Sequence, residues 1–382
     1  MTLLDRSVTR RRLAVGAAAT AATLATIHTT LALQEASPAP EGGEEGGGMP
    51  PLPAGATVVA EGLWNPGNLA FGPDGTLYIA ETGVAGGGPE MQATPGVQGP
   101  APLMPGQVSQ VAADGTQSVL TTEAGGVGIA VYEGEVYVSA GGGSVGMGML
   151  PNPGENTIHA VSVADGTVRM VAELGTYEAE NNPDGTDVNP NLYGLDITGD
   201  GTIYVADAGG NTIYSVDSAT GEFNLFAVVP NLTDLTGAEP DPELGVRQPV
   251  PTSVVIDDGG YINVALLSEF WEGPNVLAYA PDGTYTEGIS GLSVLVNAVL
   301  GPDGLLYVSQ LSADISGEMP APGAVYRINA DGSTEAVVEG LFFPHGIAFD
   351  EAGNLFVTVN SIISGPDAPL GQVLRFDGIA AG

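Results

Sequence analysis

An acidic stretch in the middle of the chain has the residue types that bind hard metal ions. It reads TYEAENNPDGTDVNPNLYGLD, from Thr176 to Asp196, and it places the carboxylates of Glu178, Asp184 and Asp187 among several asparagines. Carboxylate and amide oxygens in an irregular loop suit calcium. The spacing differs from that of an EF-hand loop, so two interpretations stay open. The stretch is either a calcium site built on the three acids or a surface loop stabilised by its Asn, Pro and Gly residues.

Histidine is the other residue type here that could do chemistry, and it is scarce. After the N-terminal leader the chain has only His159 and His345, and it has no cysteine. One histidine cannot build a two-histidine zinc site, and thiolate chemistry is excluded. The chain has no G-x-S-x-G motif, so no serine-hydrolase triad is indicated. His345 is therefore either a hydrogen-bonded structural residue or a single ligand or general base.

The elements that position these residues follow an internal repeat. Asp-Gly pairs recur before short apolar segments, as in FGPDGTLYIAE from Phe71 and LGPDGLLYVSQ from Leu300. Aligning them gives six units, each with three strands, and five units continue into a fourth strand. The first strands begin near Gly67, Val127, Tyr193, Thr252, Asn297 and His345. Units of this kind predict an all-β fold, a six-bladed β-propeller with four-stranded blades.

The last unit has no fourth strand of its own, and a spare strand lies at the other end of the chain. The chain stops shortly after QVLRFD, whereas TVVAEG, from Thr57 to Gly62, precedes the first unit. An N-terminal strand that closes the last blade would complete the ring and leave no free strand edge. We therefore expect a single six-bladed propeller domain over residues 56–378.

The repeated Asp-Gly pairs are expected to turn the chain rather than to collect ions. Asp closes a local hydrogen bond to the backbone, and Gly adopts the positive φ that a hairpin requires. One pair per blade also leaves them too far apart to share an ion. The aspartates of these pairs are Asp74, Asp114, Asp165, Asp200, Asp258, Asp282, Asp303 and Asp331.

Long insertions fall on one face of the predicted ring. The turns after each first and third strand are short, whereas nearly all long segments follow second strands or connect blades. We call the side with the long segments the long-loop face. Long loops cost conformational entropy and are often functional, so we predict that this face binds an unknown small molecule or protein. The residues predicted to contact it at the mouth of the central channel are Asn68, Tyr193, Thr252, Asn297 and His345.

The N-terminus predicts export. Residues 1–33 have a basic start with Thr9-Arg10-Arg11-Arg12-Leu13, similar to a twin-arginine motif, followed by an uncharged Ala/Thr-rich stretch. That is the layout of a signal peptide, although an uncleaved anchor is the alternative. Residues 34–55 form a flexible, acidic Pro/Gly linker. We expect an extracytoplasmic protein, secreted or in the cell envelope, with no membrane span after signal cleavage.

The charge of the chain excludes one class of partner. Lysine is absent, and residues after the leader carry 44 acidic side chains and only four arginines, a net charge of about −40. Such a surface repels nucleic acid and anionic lipid, so neither is expected to bind. The charge fits solubility outside the cytoplasm or tolerance of high salt, in which self-repulsion is screened. We expect a monomer.

Several segments resemble a known family. IYVADAGGNTIYSVD, from Ile203 to Asp217, resembles an NHL-repeat strand pair. Together with YEAENNPDG, PTSVVIDDGG and LFFPHGIAFDEAGNLFVTVNS, it is similar to the ScyD/ScyE family of exported, NHL-like six-bladed propellers, over about Ala56 to Leu374. The resemblance implies the fold and export. It implies no catalytic residues.

Two functions follow as hypotheses. The first is an exported binding or scaffold propeller that takes its ligand at the long-loop face and is not an enzyme. The alternative is a metal-assisted, lactonase-like hydrolase with its site in the central channel, which requires several carboxylate or amide ligands that converge there. Asn68, Asn297 and His345 are candidates for such a site, and Asp196 is the one carboxylate near it. Calcium is the only cofactor that the sequence indicates.

Overall fold

Six four-stranded antiparallel sheets, each built from short Val-, Ile- and Tyr-rich strands, form the fold. The computed structural model describes residues 51–85, 97–99, 101–142, 144, 149–236, 239–242, 244–268, 273–314 and 320–380. The predicted signal peptide, and the linker as far as residue 50, lie outside the described residues. First strands of neighbouring sheets contact each other around a complete ring. The predicted six-bladed β-propeller is confirmed.

The first three blades follow each other in chain order after strand β1 (Thr57–Leu63). Blade 1 is β2 (Pro66–Phe71), β3 (Leu77–Glu81), β4 (Gln107–Val111) and β5 (Gln117–Thr121). Blade 2 is β6 (Gly128–Tyr132), β7 (Glu135–Ala140), β8 (Thr157–Ser162) and β9 (Val168–Glu173). Blade 3 is β10 (Leu192–Ile197), β11 (Thr202–Asp207), β12 (Thr212–Asp217) and β13 (Phe223–Val228).

The remaining blades complete the ring. Blade 4 is β14 (Pro251–Ile256), β15 (Ile262–Leu266), β16 (Val276–Tyr279) and β17 (Tyr285–Glu287). Blade 5 is β18 (Leu295–Leu300), β19 (Leu306–Gln310), β20 (Gly323–Ile328) and β21 (Thr334–Leu341). Blade 6 is β22 (Ile347–Phe349), β23 (Leu355–Val359) and β24 (Gly371–Phe376), with β1 as its outermost strand.

Strand β1 closes the ring as predicted. It pairs antiparallel with β24, placing Thr57 opposite Arg375 and Glu61 opposite Gln372. Ala60 and Leu63 of β1 are buried in the core between blades 1 and 6. The two ends of the chain are therefore joined by backbone hydrogen bonds and by apolar packing.

The Asp-Gly pairs form the hairpin turns, with one correction. Asp74 accepts the backbone N–H of Thr76 at 3.0 Å, and Gly75 has a φ of 79°. The predicted turn aspartate Asp258 does not act in this way. Its neighbour Asp257 accepts the backbone N–H groups of Gly259 and Tyr261, because this turn contains one glycine more and the positive φ falls at Gly260.

All turns on one side of the ring are short. The eleven connections from first to second and from third to fourth strands have at most five residues each. The long connections on the other side are 82–106, 141–156, 174–191, 229–250, 267–275, 311–322 and 360–370. The long-loop face is thus a property of the fold, although parts of these connections lie outside the described residues.

The long-loop face also contains two short helices that the sequence did not suggest. Helix α1 (Gly175–Asn181) lies in the connection between blades 2 and 3, and α2 (Leu232–Thr236) lies in the next one. Helix α1 forms where a loop was expected, because Tyr177 packs its ring edge-on against Tyr214 and Phe223 of blade 3. No helix among the described residues is both long and apolar enough to span a membrane.

Candidate functional site

The five residues predicted at the channel mouth are all buried, and His345 lies at their centre. Its Nε2 is 2.7 Å from the Tyr193 hydroxyl, and its Nδ1 is 3.1 Å from Oδ1 of Asn68. A carbonyl oxygen only accepts, so Nδ1 carries the proton and Nε2 accepts from the tyrosine. Burial lowers the pKa of His345 to about 3, so the ring is neutral. This triad joins first strands of blades 1, 3 and 6.

Thr252 and Asn297 connect first strands of neighbouring blades. The Thr252 hydroxyl donates to the carbonyl of Leu295 at 2.8 Å. Asn297 accepts the backbone N–H of Ile347 at 3.0 Å. These contacts tie blade 4 to blade 5 and blade 5 to blade 6. A structural role thus accounts for all five channel residues, and ligand binding by them stays a prediction.

The channel is narrow at this level because neighbouring first strands touch. A Cβ added at Gly346 would lie 2.4 Å from Cα of Asn68, and one at Gly194 would lie 2.6 Å from the carbonyl oxygen of Thr252. Asp196, the one carboxylate near the channel, is also engaged. It accepts backbone N–H groups of Ile197 and Ile256, at 2.8 and 2.9 Å.

An apolar layer covers the long-loop end of the channel. Its members lie near the ends of first and second strands or in the connections next to them, and they come from several blades. The buried members of this layer are Tyr193, Ala208, Val250, Leu267, Val294, Val296, Leu311, Phe343 and Ile362. Sequence reasoning missed this layer, because each member is a single apolar residue at a strand end and only the ring brings them together.

The acidic stretch forms a second polar centre, between blades 2 and 3 rather than in the channel. Helix α1 places Glu178 inward, with none of its side chain exposed. Strand β11 ends at Asp207, which is also fully buried. A Cβ added at Gly210 would lie 3.0 Å from Oε2 of Glu178 and 3.1 Å from Oδ2 of Asp207. One oxygen of each carboxylate therefore lies beside Gly210.

Three connections of the long-loop face meet around this acid pair. Asp184 accepts from the Asn211 side chain at 2.7 Å, and Asp187 accepts from Gln248 at 2.6 Å. Asn211 follows β11, whereas Gln248 belongs to the connection between blades 3 and 4. The backbone N–H of Val250 in that connection donates to Asn211 at 3.2 Å. The predicted ligands Asp184 and Asp187 thus fasten the loop to its neighbours.

Buried polar atoms without a hydrogen-bond partner concentrate at this centre. Nine of the thirteen such side-chain atoms among the described residues belong to it, and eight of the nine are oxygens. Buried polar atoms are normally paired with protein, water or an ion, so such a concentration requires an explanation. The nine atoms belong to Glu178, Asn182, Asp187, Asn189, Asp207, Thr212 and Tyr214. We call Glu178, Asn182, Asp184, Asp187, Asn189 and Asp207 the acidic cluster.

The acids of the cluster disfavour each other's ionisation. Burial raises the pKa of Glu178 to about 8, and the charges of Asp207, Asp184 and Asp187 add to the shift. Burial raises the pKa of Asp207 to about 6, although backbone N–H groups of Gly210 and Asn191 oppose it. Burial also raises the pKa of Asp187. The cluster is therefore a place where positive charge would be stabilised.

The structure brings Glu178 together with a residue that the sequence did not single out. Asp207 lies twenty-nine positions away, in the ordinary strand motif IYVAD, and only the pairing of blades places it here. Within the described part of the chain, no three His, Asp or Glu side chains are already gathered as metal ligands. Both oxygens of Asp184 are engaged by Thr186 and Asn211.

No protein-family model matches the chain, and no curated protein sequence matches it. Solved structures, in contrast, do match the chain. A gluconolactonase from Xanthomonas campestris is 14% identical, with a TM-score of 0.53, over 84% of this chain and 88% of that one. The calcium-binding protein regucalcin from Agrobacterium tumefaciens is 14% identical, with a TM-score of 0.52, over 85% and 93%.

A third similar structure, a Bacteroides thetaiotaomicron protein of unknown function, is 11% identical. Its TM-score is 0.55, over 84% of this chain and 75% of that one. These likenesses show the fold. At such low identity they carry no activity over to this chain, and its own residues must support any function.

Proposed function

We propose that this protein is an exported binding propeller that takes a small molecule or protein partner on its long-loop face. The asymmetry of the ring carries the proposal. All eleven turns on one side are minimal hairpins, whereas seven long connections lie on the other side. Loop length costs conformational entropy, and drift without function would lengthen loops on both faces.

Calcium belongs to this proposal as the cofactor of the long-loop face. The acidic stretch lies in one of the long connections, and Gln248 and Asn211 attach it to two others. A cation bound in the acidic stretch would hold these segments of the long-loop face in place. The similarity to a protein described as calcium-binding agrees with this idea, but at 14% identity it is no evidence for a site.

Export is proposed from the N-terminal sequence alone. The basic start, the uncharged stretch and the acidic linker have the order of a processed leader. Two forms of the protein follow: a cleaved, released propeller and one that is retained by its leader. Mass spectrometry of the protein recovered outside the cytoplasm distinguishes them, since cleavage near Leu31 would remove the twin arginines.

The experiment for the binding proposal compares two sets of variants in a thermal-shift screen against small molecules that include sugar lactones. One set shortens the 82–106 and 360–370 connections, which join adjacent strands of one blade, to hairpin length. The control set replaces turn aspartates on the opposite face, Asp114→Asn and Asp165→Asn. A compound that stabilises the wild type and the control set, but not the shortened set, supports the proposal. Stabilisation of all variants alike would contradict it.

The same screen tests the lactonase-like alternative. Lactones that bind are incubated with the protein and calcium, and the free acid is measured. Hydrolysis that is lost in Asn68→Ala and His345→Ala variants with native circular dichroism would place a catalytic site in the channel and overturn the binding proposal. We expect no such hydrolysis, because Asn68 and His345 are buried and hydrogen-bonded to each other.

A further inference from the structure

The acidic cluster has an oxygen-rich composition that the fold itself does not require. In the other blades the residues at the end of the second strand that correspond to Asp207 are either uncharged or fully hydrogen-bonded. Glu81 in blade 1 is the informative comparison, since it is equally buried and accepts from Trp64, Gln107 and Ser109. Both oxygens of Glu81 accept hydrogen bonds from the protein. The oxygens of Glu178 and Asp207 beside Gly210 accept none.

We propose that Glu178 and Asp207 bind a calcium ion beside Gly210, with Asn189 as a further oxygen ligand. Oε2 of Glu178 and Oδ2 of Asp207 each lie about 3 Å from the position that a Cβ on Gly210 would occupy, so both carboxylates line the space beside this glycine. Asp207 turns its other oxygen to the N–H groups of Asn191 and Gly210, at 2.7 and 2.9 Å, and so holds its free oxygen in place.

A second observation supports the ion independently of the acids. Asn189 is 1% exposed, and neither atom of its amide has a hydrogen-bond partner among the described residues. Its side chain lies beside Gly209, since a Cβ added there would be 3.2 Å from Cγ of Asn189. A buried amide without partners is costly, and coordination by its oxygen would remove part of that cost.

The glycine pair makes room for this arrangement. A Cβ at Gly209 would collide with the backbone oxygen of Asn189, and one at Gly210 would lie 2.9 Å from the carboxyl carbon of Glu178. Both positions therefore need glycine if the loop, the strand end and the carboxylates are to approach so closely. The sequence AGGN after β11 satisfies that requirement.

The donor set favours calcium over magnesium. Calcium accepts six to eight oxygens in irregular geometry, including amides, carbonyls and water, whereas magnesium demands a near-ideal octahedron. Here two carboxylates and an amide come from a helix, a strand end and a loop. Asp184 acts as a positioning residue, because its bonds to Thr186 and Asn211 shape the loop that contributes Asn189.

This inference deepens the proposed function and rests on it for its biological meaning. A calcium ion would join the connection 174–191 to the turn after β11, and through Gln248 to the connection 229–250. It would thus fix three segments of the long-loop face. The ion can be tested with no knowledge of the ligand, so the two proposals can fail separately.

The test uses terbium, which replaces calcium and emits when energy is transferred from a nearby tyrosine. The hydroxyl of Tyr214 is buried beside the cluster: its pKa is raised by burial and by the charges of Asp207 and Glu178. Wild-type protein, freed of metal and kept at high constant ionic strength, is titrated with terbium and then with calcium as competitor. We expect one site per chain, with emission that calcium abolishes.

Matched variants make the test specific. Glu178→Gln and Asp207→Asn each replace one carboxyl group of the cluster by an amide, and Glu180→Gln makes the same change at an exposed position on the same helix. We expect calcium affinity to fall at least tenfold in the first two and to stay unchanged in the third. Tyr214→Phe should keep calcium affinity but lose most of the terbium emission.

Thermal melts show whether the variants are folded. Without calcium, Glu178→Gln should melt close to the wild-type temperature, because the amide keeps the size and shape of the carboxyl group. With calcium at a hundredfold excess over Kd, wild type should gain several degrees and the variant should not. The proposal is overturned if wild type binds no calcium at millimolar concentration, or if all three charge variants bind it equally. In either case protons, rather than a metal ion, neutralise Glu178 and Asp207.

Discussion

At the residue scale, two buried polar centres lie close to each other in the fold and differ in how they are satisfied. The His345 triad is complete: Tyr193 donates, Asn68 accepts, and the ring needs no further partner. The acidic cluster is incomplete, since oxygens of Glu178 and Asp207 beside Gly210 have no hydrogen-bond partner. The first arrangement stabilises the ring, and the second is suited to receive a cation.

Replacement of Gly210 tests the geometry of the cluster without altering its charge. In Gly210→Ala the new methyl group would lie about 3 Å from an oxygen of each carboxylate and would push the two acids apart, so calcium binding should weaken at least tenfold. Gly199→Ala is the control, because a Cβ there meets nothing within 4 Å. Terbium titration of both variants measures the effect. Equal affinities would mean that the ion, if bound, lies elsewhere.

The pH dependence of stability tests the His345 triad. Its pKa is about 3 in the folded protein, below the value near 6.5 in the unfolded chain. The unfolded state therefore binds more protons between these values, and stability is lost as the pH falls from about 6.5 towards 3. By linkage the loss reaches a few kcal/mol at about pH 4.

The measurement is a series of denaturant melts from pH 7 to pH 4. His345→Asn removes the titrating group, so its free energy of unfolding should fall less steeply with acid than that of wild type, although it starts lower at pH 7. His159→Asn, at a half-buried position, should change the slope less. Parallel curves for wild type and His345→Asn would show that the histidine is not held neutral.

At the element scale, strand β1 and the 174–191 connection matter most for the fold and the site. Strand β1 is the outermost strand of blade 6, and its pairing with β24 joins this blade to the segment that precedes blade 1. Helix α1 depends on Tyr177, which packs on Tyr214 and Phe223. That packing turns Glu178 inward.

Deletion of the N-terminus tests ring closure. A variant that lacks residues 1–55 should unfold cooperatively near the wild-type temperature. A variant that lacks residues 1–63 loses β1, exposes the edge of β24 and uncovers Val373, so it should melt many degrees lower or aggregate. Differential scanning calorimetry of both variants provides the comparison. Equal melting temperatures would mean that β1 does not hold the ring shut.

Much of the fold could be predicted from the sequence because its signals are local. The hairpin turns need Asp and Gly at fixed positions, and the β-branched and aromatic residues of segments such as TIYVAD predict strands. Even the closing strand could be recognised by its likeness to TEAVVEG. The error at Asp258 arose because DDGG allows two positions for the turn, and a pattern cannot choose between them.

The candidate site was only half predictable, because its partners come from different blades. Glu178, Asp184 and Asp187 lie in one acidic segment and attract attention together. Asp207 ends an ordinary strand, and nothing in IYVADAGG marks it as different from the Glu81 of blade 1. Helix α1 was also missed, since its seven residues depend on packing against blade 3 rather than on helix propensity.

At the scale of the whole molecule, charge and loop asymmetry are the main features. The net charge of the full chain is −37, and no lysine offsets the acids. Arg169, Arg327 and Arg375 form ion pairs with acids. These pairs are partly exposed to solvent and contribute little to stability. Repulsion among the remaining acids therefore opposes the compact state.

Added salt should stabilise the molecule for this reason. The screening length falls from about 30 Å at 0.01 M to about 3 Å at 1 M, so repulsion between surface acids is largely removed. We expect the melting temperature to rise steadily over this range of sodium chloride, with a chelator present to exclude calcium. The same series with uncharged sorbitol at matched osmolality is the control. A flat or falling curve in salt would contradict the role of charge.

We propose that the chemistry of this propeller lies outside its channel, in the acidic cluster. A crystal structure of the wild-type protein grown with calcium, with anomalous scattering collected at long wavelength, tests this directly. We expect one anomalous peak at 2.3–2.6 Å from oxygens of Glu178 and Asp207, beside Gly210. A peak beside Asn68 and His345 in the channel, or no peak at the cluster, would contradict it.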